Sequence, residues 1–572
     1  MMVTSVKHMK WWGWGEEGVF FNYANKPAFA PFVRSRLGIN LRPRQQDTIE
    51  FDPSRVTEPT LSDDLRAALV TVLDAERVTT DALERVVHGH GSSVTELLHV
   101  SRCDFGRLPE VVVYPRDAAE VQAIVALAVE VDAVVVPYGG GTNISRSLQL
   151  DPAETRPIIS LDTGLLAGII EMDAESGLAH VGAGTQGPAL EEALNDRGWT
   201  LGHFPDSFTH STVGGWAATR SSGMQSDKYG DISDIVRGVT MVRPQGVVTL
   251  KPFPHESTGP SLREMVVGSE GRLGVITDLW VQVHKVAPTR TVIAYMYPTW
   301  NQAVTAIRTI ASEEIPTSFV RISDANETAF SLSTQKEALT LKKKVSARGQ
   351  AALWAFMRRR GWDTDAMCIS YVCFEGTAED VARRRKAVEK IAKANGALVL
   401  GTGPGALYDQ KKFDTPYLRD FLLEQNVMGD VSETAAPWSR INDIHRAVYA
   451  AAEGAFSSLD KRGFIMCHLS HSYHMGACLY FTFAVPVGED PDREYATVKT
   501  AVQQAFIDTG GTLSHHHGVG MEHAPWMEQA VSSEGVAVLR SLFDATDPGK
   551  NFNPGKVIDA PLSLYDQLRD AQ

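Results

Sequence analysis

The sequence predicts an α+β protein with more than one domain, and three observations lead to this fold class. The chain has 572 residues, which is too long for one ordinary domain. Residues 108–286 alternate short β-branched runs with amphipathic helices and glycine-rich turns. Residues 290–500 contain further strand–helix units, such as CISYVCFEGTAEDVARRRKAVEKIAKANGALVL. We therefore expect domain boundaries near residues 105, 287 and 508.

The composition indicates a globular protein with a large core, since 43% of the residues are hydrophobic and 22% are charged. The formal net charge of −14 argues against nucleic acid as a partner, because binding a polyanion needs a basic surface. Five cysteines without a C-x-x-C pair favour a reducing compartment. We find no signal-peptide h-region and no run of about 18 apolar residues. We expect a cytoplasmic or peripherally membrane-associated protein without a transmembrane helix.

The first chemical motif is the loop PYGGGTN, Pro137–Asn143, which follows an apolar strand. Three consecutive glycines allow positive φ angles and turn several N–H groups toward one point, where a phosphate can bind. The alternative is a tight turn without a ligand. The loop is neither G-x-G-x-x-G nor a P-loop, because no G-K-[ST] follows it.

Two further segments are rich in small residues. PDSFTHSTVGGWAATRSSGMQSDKYGDISDIV, residues 205–236, offers hydroxyl and backbone N–H groups but few large apolar side chains. GSEGRLGVIT, Gly268–Thr277, is a turn that leads into a strand. Three such loops in one region indicate an extended ligand with several phosphates, such as a dinucleotide.

Together the three segments resemble the flavin-binding domain of the vanillyl-alcohol oxidase superfamily. There the first loop holds the FAD pyrophosphate, and the other two surround the ribityl chain and the isoalloxazine. The resemblance implies a two-subdomain FAD-binding domain over 106–287, preceded by a helical and extended region over 1–105. It further implies an α+β substrate (cap) domain with an antiparallel sheet over 288–508 and a C-terminal helical segment over 509–572.

The resemblance also implies which residues contact the cofactor. These are Pro137, Tyr138, Gly139, Gly140, Gly141, Thr142 and Asn143 in the first segment, Pro205, Asp206, Ser207, Ser211, Thr212, Gly214, Gly215, Thr219, Ser222 and Gly223 in the second, and Glu270, Gly271, Gly274 and Ile276 in the third. Members that attach FAD covalently often have a histidine at the end of the first loop. Thr142 and Asn143 stand there in this chain, so we expect dissociable FAD.

The C-terminal half departs from the flavin-dependent 2-hydroxyacid dehydrogenases of this superfamily. Those enzymes usually have H-x-G-D-G-N-x-H and G-E-H-G, whose histidines and glutamate resemble metal ligands. This chain has HMGACLYF and SHHHGVG, with Tyr480 and His516 at two of those positions. We therefore expect no metal site. Metal binding by His515, His516 and His517, or by His468, His471 and His474, stays the alternative from the residues alone.

Many segments in one order resemble the alkyldihydroxyacetonephosphate synthase family: MKWWGWGEE, GGGTN, PDSFTHSTVGGWAATRSSGM, PYLRD, SETAAPW, GACLYF and SHHHGVG. The resemblance implies exchange of the acyl group of acyl-dihydroxyacetone phosphate for a fatty alcohol, which forms an ether. Flavin N5 then serves as a covalent trap, and no net redox change occurs. We also expect a homodimer. The alternative function is an FAD-dependent oxidoreductase acting on a 2-hydroxyacid or an alcohol.

The same resemblance implies roles for individual residues. Arg419 matches the arginine that binds the substrate phosphate, and Arg321 matches a second arginine important for activity. Tyr480 matches the proton donor and acceptor, assisted by His515, His516 and His517, which are expected to lower the pKa of its phenol. Without the resemblance, Tyr480 in ACLYFTFAV is better interpreted as a core residue, and the arginines as surface or salt-bridge residues.

A basic, amphipathic stretch over residues 339–362 is a candidate for membrane contact. Its cations would meet anionic headgroups while Trp354, Phe356 and Trp362 enter the interface. The cations are Lys342, Lys343, Lys344, Arg348, Arg358, Arg359 and Arg360. A solvated basic helix that covers the core is the equal alternative.

Overall fold

A computed structural model describes residues 6–43, 49–335, 354–411 and 416–571. Most of the basic stretch at 339–362 lies outside these ranges. Four of its seven cations lie there: Lys342, Lys343, Lys344 and Arg348. In the described part, Trp354 and Trp362 pack against the buried Met357 on the cap domain, while Phe356 is 47% exposed. Two of the three aromatic side chains assigned to a membrane therefore contact the protein core.

The first sheet has four strands in the order Val78–Thr79, Val111–Val113, Ile158–Asp162 and Val134–Tyr138. The last three strands run parallel, and Val78–Thr79 pairs antiparallel at the edge. The valine runs of these strands are buried, as expected for a parallel sheet covered on both faces. Pro137–Asn143 therefore leaves the carboxyl end of a strand, which is where open α/β sheets bind ligands.

A second, antiparallel sheet has five strands in the order Ile169–Asp173, Leu178–Gly182, Val275–Gln282, Val236–Arg243 and Gly246–Leu250. A two-stranded ribbon joins Trp199–Thr200 to His284–Lys285. The third glycine-rich segment leads directly into the central strand of this sheet. The loops at 205–236 and 268–277 thus lie on a framework whose buried core continues into the cap sheet.

The cap sheet has seven strands in the order Leu398–Gly401, Thr289–Tyr297, Cys368–Gly376, Phe319–Ser323, Phe464–Ser472, Gly476–Pro486 and Val427–Pro437. All six strand pairings in it, among the described residues, are antiparallel. Along the central strands, Phe481 and Phe483 are buried against Phe506 and Tyr495 of a covering helix. The intervening residues Tyr480 and Thr482 point to the other face, because side chains alternate along a strand.

The helices surround these sheets. The α-helices among the described residues are Phe29–Leu37, Asp63–Leu73, Ala82–Val87, Val94–Ser101, Ala118–Glu130, Gly187–Asn195, Val213–Thr219, Ser226–Tyr229, Ile232–Ile235, Leu262–Val266, Trp300–Ser312, Ala325–Ser333, Ala378–Ala394, Thr402–Lys411, Pro416–Glu424, Ile441–Ser458, Pro491–Asp508, Met527–Thr546 and Leu564–Asp570, and three short 3-10 helices are Pro53–Arg55, Ala75–Arg77 and Ala524–Trp526. Among these, we find no helix with the length and apolar character needed to cross a bilayer.

Candidate active site

One cavity lies between the glycine-rich loops and the inner face of the cap sheet. All of the predicted cofactor-contacting residues line it except Gly223. Gly223 is buried behind the wall, where its N–H donates to Ser226 Oγ at 2.9 Å and its Cα approaches the backbone of Phe204. Position 223 requires glycine because of this close packing and not because of a ligand.

The loop Gly139–Asn143 has the chemistry of a phosphate cradle. Within the described ranges, the N–H groups of these five residues have no hydrogen-bond acceptor in the protein. Gly141 has a φ of 66°, and a Cβ on Gly140 would overlap the carbonyl oxygen of His210. The cradle is therefore closed to larger residues and offers unpaired donors to an anion, which fits the pyrophosphate of FAD.

The three histidines stand in a loop, Ser514–Gly520, that two buried carboxylates hold in place. Glu433 of the cap sheet accepts the backbone N–H groups of His515, His516 and His517 at 2.5, 3.1 and 3.0 Å, and Ser514 Oγ at 2.7 Å. We call this loop the His loop.

The other end of the His loop is held by Glu270 of the third glycine-rich segment. Its carboxylate accepts the N–H groups of Val519 and Gly520 at 2.6 and 2.8 Å and the hydroxyl of Ser147 at 2.5 Å. Burial nevertheless raises the pKa of Glu270. The loop therefore joins the flavin-binding region to the cap sheet through backbone contacts.

Two imidazoles of the His loop are neutral at pH 7 beside an ionised carboxylate. Burial would raise the pKa of Glu433, but the positive charge that His516 and His517 take up at acid pH, together with the backbone N–H groups, holds it well below its usual range. Burial also lowers the pKa of His516 well below its ordinary value, and that of His517 to about 4. At neutral pH these two rings are uncharged acceptors or donors.

Glu433, Cys478, His515 and His516 offer ligand atoms within 4.8 Å of one another, but the arrangement suits hydrogen bonding better than a metal ion. Both Glu433 oxygens already accept backbone N–H groups. Burial raises the pKa of the Cys478 thiol well above its usual value, so the thiolate that a metal needs is disfavoured. We therefore derive no metal chemistry from this cluster.

Tyr480 lies between aromatic rings on the cavity wall. It is paired across the sheet with Glu433 on one side and His468 on the other. Its ring stacks on that of His468 at 4.6 Å and on that of His516 at 5.9 Å, and it meets His517 edge-on at 5.5 Å. Tyr480 is therefore part of the site and not of the hydrophobic core.

The prediction that the histidines lower the pKa of the Tyr480 phenol is wrong. Burial raises this pKa well above its usual value, and the nearby carboxylates Asp206, Asp430 and Glu433 raise it further. The rings of His516 and His517 are neutral and supply no compensating charge, although Arg321 opposes the shift. The phenol is thus held protonated, as a donor toward the cavity.

Arg321 lies on the strand Phe319–Ser323, which the strand of His468 separates from that of Tyr480, and it also lines the cavity. Its Nη2 donates to Glu327 Oε1 at 2.7 Å and lies 3.0 Å from His468 Nδ1. His468 Nδ1 is in turn 3.0 Å from Glu327 Oε1. Arg321 is therefore oriented by a buried carboxylate beside the ring that stacks on Tyr480.

Arg419 contributes an unpaired positive charge to the same cavity. It lies on the helix Pro416–Glu424, and its Cζ is 6.0 Å from the ring of Trp14. Its Nε and Nη2 atoms are buried, and no acceptor in the described part of the chain contacts them. Buried N–H groups of a guanidinium that lack an acceptor are costly, so an anionic ligand is the natural partner for them.

His515 differs from its two neighbours, because it does not line the cavity. Its Nε2 is 2.6 Å from the hydroxyl of Tyr473, which donates to Asp231 at 2.8 Å. Its Nδ1 is 2.9 Å from His516 Nδ1. His515 therefore contacts the cavity through His516 and through His471, whose ring centroid lies 5.1 Å from its own, as a residue that orients the cavity-facing rings.

Sequence reasoning missed Glu433 and Asp231 as contributors to this site, and it named His471 only as an alternative metal ligand. Glu433 was present in the segment SETAAPW, but nothing in that segment indicated its contacts 82 residues away. Asp231 lies in the second glycine-rich segment without a distinctive neighbour. His471 lines the cavity with a buried, unpartnered Nδ1 and a φ of 48°, at a register shift of its strand. Alternation along the strand did not predict its direction, because the register shift changes it.

An apolar side of the cavity lies beyond Arg419. It is formed by the N-terminal helix, the helix that carries Arg419 and the cap sheet. The apolar lining residues there are Phe29, Phe32, Val33, Leu37, Phe330, Leu418, Leu422 and Phe464. This side can accept a hydrocarbon chain, because burial of apolar surface is its main source of binding energy.

Replacement of Glu433 by Gln is expected to loosen the His loop. The amide keeps the size of the side chain but cannot accept three backbone N–H groups with a full negative charge. Hydrogen bonds to a charged group contribute about 1.5–3 kcal/mol each, so the melting temperature should fall. Displacement of His516 and His517 should slow turnover on the order of 10- to 100-fold. Differential scanning fluorimetry and steady-state rates measure both effects, with Glu489→Gln, an exposed position, as the control.

The flavin is expected to leave the protein on acid denaturation. Trichloroacetic acid treatment of the purified yellow protein should release oxidised FAD into the supernatant, since Thr142 and Asn143 offer no histidine for attachment. Flavin absorbance in the washed pellet would contradict a dissociable cofactor. A colourless protein that does not recover a flavin spectrum on addition of FAD would contradict the cradle itself.

Comparison with known protein families matches two parts of the chain. The family described as "FAD binding domain" matches residues 109–251, and "FAD linked oxidases, C-terminal domain" matches residues 287–557. A solved structure of p-cresol methylhydroxylase superposes with a TM-score of 0.65 at 14% identity, over 87% of this chain and 98% of that one. At this identity the likeness concerns the fold alone, and it agrees with the predicted vanillyl-alcohol oxidase-type architecture. FAD as cofactor rests on the match to the FAD binding domain family.

Two relatives are similar over nearly the full length. The alkyldihydroxyacetonephosphate synthase of Trypanosoma brucei brucei is 32% identical, over 98% of this chain and 94% of the relative. A solved structure of an alkyldihydroxyacetonephosphate synthase has a TM-score of 0.83 at 30% identity, over 96% of this chain and 98% of that one. The resemblance inferred from the segments is therefore confirmed. The chain belongs to the alkyldihydroxyacetonephosphate synthase family and is an FAD-dependent enzyme.

Proposed function

We propose that this enzyme exchanges the fatty acyl group of acyl-dihydroxyacetone phosphate for a fatty alcohol, forming an alkyl ether. The carbon–oxygen bond to the leaving carboxylate breaks, and a new carbon–oxygen bond to the alcohol forms, without net oxidation or reduction. The observation that carries this proposal is the half-buried Arg419 side chain between the flavin-binding loops and an apolar wall, whose buried Nε and Nη2 atoms have no acceptor among the described residues. A phosphorylated lipid that reacts at a flavin needs a cation for its phosphate, an apolar wall for its hydrocarbon chain and a flavin beside its reacting carbon.

The phosphate is assigned to Arg419. Its guanidinium has two free N–H directions, which suit bidentate contact with phosphate oxygens. The hydrocarbon chain of either substrate is assigned to the apolar side formed by residues such as Phe29, Phe330 and Leu422. When bound, FAD would supply N5 as a covalent trap for the substrate carbon.

Proton transfer next to the ketone is assigned to Tyr480 with the two cavity-facing histidines. The phenol is protonated, because burial and carboxylates raise its pKa, and it can hold or return a proton at the reacting carbon. His516 and His517 are neutral, and their rings lie beside the phenol, so they are the bases available for the reverse transfer. Arg321 orients His468, which stacks on Tyr480.

The test is incubation of the purified holoenzyme with palmitoyl-dihydroxyacetone phosphate and labelled hexadecanol. The expected product is labelled hexadecyl-dihydroxyacetone phosphate, with palmitate released in equal amount. The competing oxidoreductase function predicts something else: anaerobic bleaching of the flavin by lactate or glycolate at a useful rate. Bleaching without ether formation would overturn the proposal. Homodimer formation and membrane contact stay predictions from the sequence.

A further inference from the structure

An N-terminal segment, His8–Gly15, lies across the helix that carries Arg419. The N–H of Trp14 donates to Asp420 Oδ2 at 2.8 Å, and Lys10 Nζ is 2.9 Å from the same oxygen. A Cβ on Gly13 would lie 2.6 Å from that oxygen, so only glycine permits this approach. The segment is therefore packed closely against the residue next to the assigned phosphate ligand.

The Lys10–Asp420 ion pair is buried. The Lys10 side chain is 1% exposed and that of Asp420 is 8% exposed. The Lys10 ammonium also lies over the rings of Trp12 at 4.5 Å, Phe20 at 5.2 Å and Tyr417 at 5.8 Å. A lysine enclosed in this way is a fixed charge whose main partner is the Asp420 carboxylate.

Asp420 and Arg419 are adjacent and oppositely charged, yet each keeps unpaired atoms. Asp420 Oδ1 and Arg419 Nε and Nη2 are all buried, and none has a hydrogen-bond partner among the residues that the structure describes. Trp14 separates them, since its N–H contacts Asp420 and its ring faces the Arg419 guanidinium. Without Lys10, the Asp420 carboxylate would be an uncompensated negative charge beside the phosphate site.

We propose that Lys10 is a positioning residue that cancels the charge of Asp420, so that the Arg419 guanidinium stays free for the substrate phosphate. This inference rests on the proposed function, in which Arg419 is the phosphate ligand. An uncompensated carboxylate in a low-dielectric site would both attract Arg419 and repel a dianionic phosphate. The two members of the ion pair therefore affect phosphate binding in opposite directions.

The experiment is titration of dihydroxyacetone phosphate into the FAD-loaded variants, followed by flavin absorbance and calorimetry. Lys10→Met should weaken binding by about tenfold or more, while Lys10→Arg should restore it. Asp420→Asn should bind within about threefold of the wild type, although its thermal stability falls. Lys7→Met is the matched control, because the Lys7 ammonium in the same segment pairs with Glu16 at an exposed position.

The double variant Lys10→Met/Asp420→Asn separates charge compensation from a merely structural role. It should regain most of the affinity that Lys10→Met loses, with KM recovering toward the wild-type value, because the uncompensated carboxylate is gone. Equal losses in both single variants, or a loss in the double variant that is the sum of the two, would overturn the inference. If Lys10→Met does not fold, the double variant alone still tests the inference. Weak binding of dihydroxyacetone phosphate by the folded double variant would then overturn it.

The Arg419→Ala variant distinguishes failure of this inference from failure of the proposed function. If Arg419→Ala binds dihydroxyacetone phosphate as the wild type does, the phosphate assignment itself is wrong. If Arg419→Ala loses binding while Lys10→Met keeps it, only the role of Lys10 is wrong.

Discussion

Arg419→Ala is expected to reduce turnover of acyl-dihydroxyacetone phosphate by about 30- to 1,000-fold, mainly through weaker substrate binding. The reason is the loss of one charge-assisted, bidentate contact, which contributes roughly 2–4 kcal/mol when it is buried. Arg419 has no carboxylate partner within the described ranges, so its removal leaves no unpaired acid behind. The kcat/KM for the acyl substrate measures the effect.

Two controls make this result specific to the phosphate. FAD content should be unchanged, because Arg419 lies on the cap side and the glycine-rich loops are intact. Arg419→Lys keeps the charge without the planar fork and should recover only part of the loss. Unchanged kcat/KM in Arg419→Ala would show that another group binds the phosphate.

Tyr480→Phe is expected to lower kcat by about 10²–10⁴-fold, the usual contribution of a general acid–base group. The phenyl ring keeps its contacts with His468 and His516, so bound FAD and the melting temperature should change little. Loss of the hydroxyl removes only the protonated donor beside the reacting carbon. Single-turnover rates measured with saturating substrate give the effect on the chemical step.

His516→Ala should also lose activity, because it removes a neutral imidazole at the Tyr480 ring.

Treatment of the wild type with EDTA should leave its rate unchanged, because the carboxylate of Glu433 is already occupied by backbone N–H groups. Activity that EDTA abolishes and a divalent cation restores would instead support the metal interpretation of the histidines. A fully active Tyr480→Phe variant would contradict its assignment to proton transfer.

The sequence by itself was enough to identify the flavin-binding loops, the family and Arg419 as the cation of the site. Gly139–Gly141 and residues 205–236 are rich in glycine and serine, which build no core and expose backbone N–H groups. Ligand binding is therefore the function that such segments indicate. Short segments in a fixed order identify the family without any knowledge of the three-dimensional structure. That is why Arg419 and Tyr480 were found from the motifs PYLRD and GACLYF, and both line the cavity.

Only the tertiary structure decided how these residues are held and charged. Glu433 and Glu270 clamp the His loop from positions 82 and 249 residues away, and Trp14 contacts Asp420 across 406 residues. No local pattern encodes such pairs, because a carboxylate in a sequence does not indicate which N–H groups it will accept. The direction of the Tyr480 pKa shift was mispredicted for the same reason. This pKa depends on burial and on the charges that the fold brings around the phenol, and His516 and His517 became neutral when they were buried.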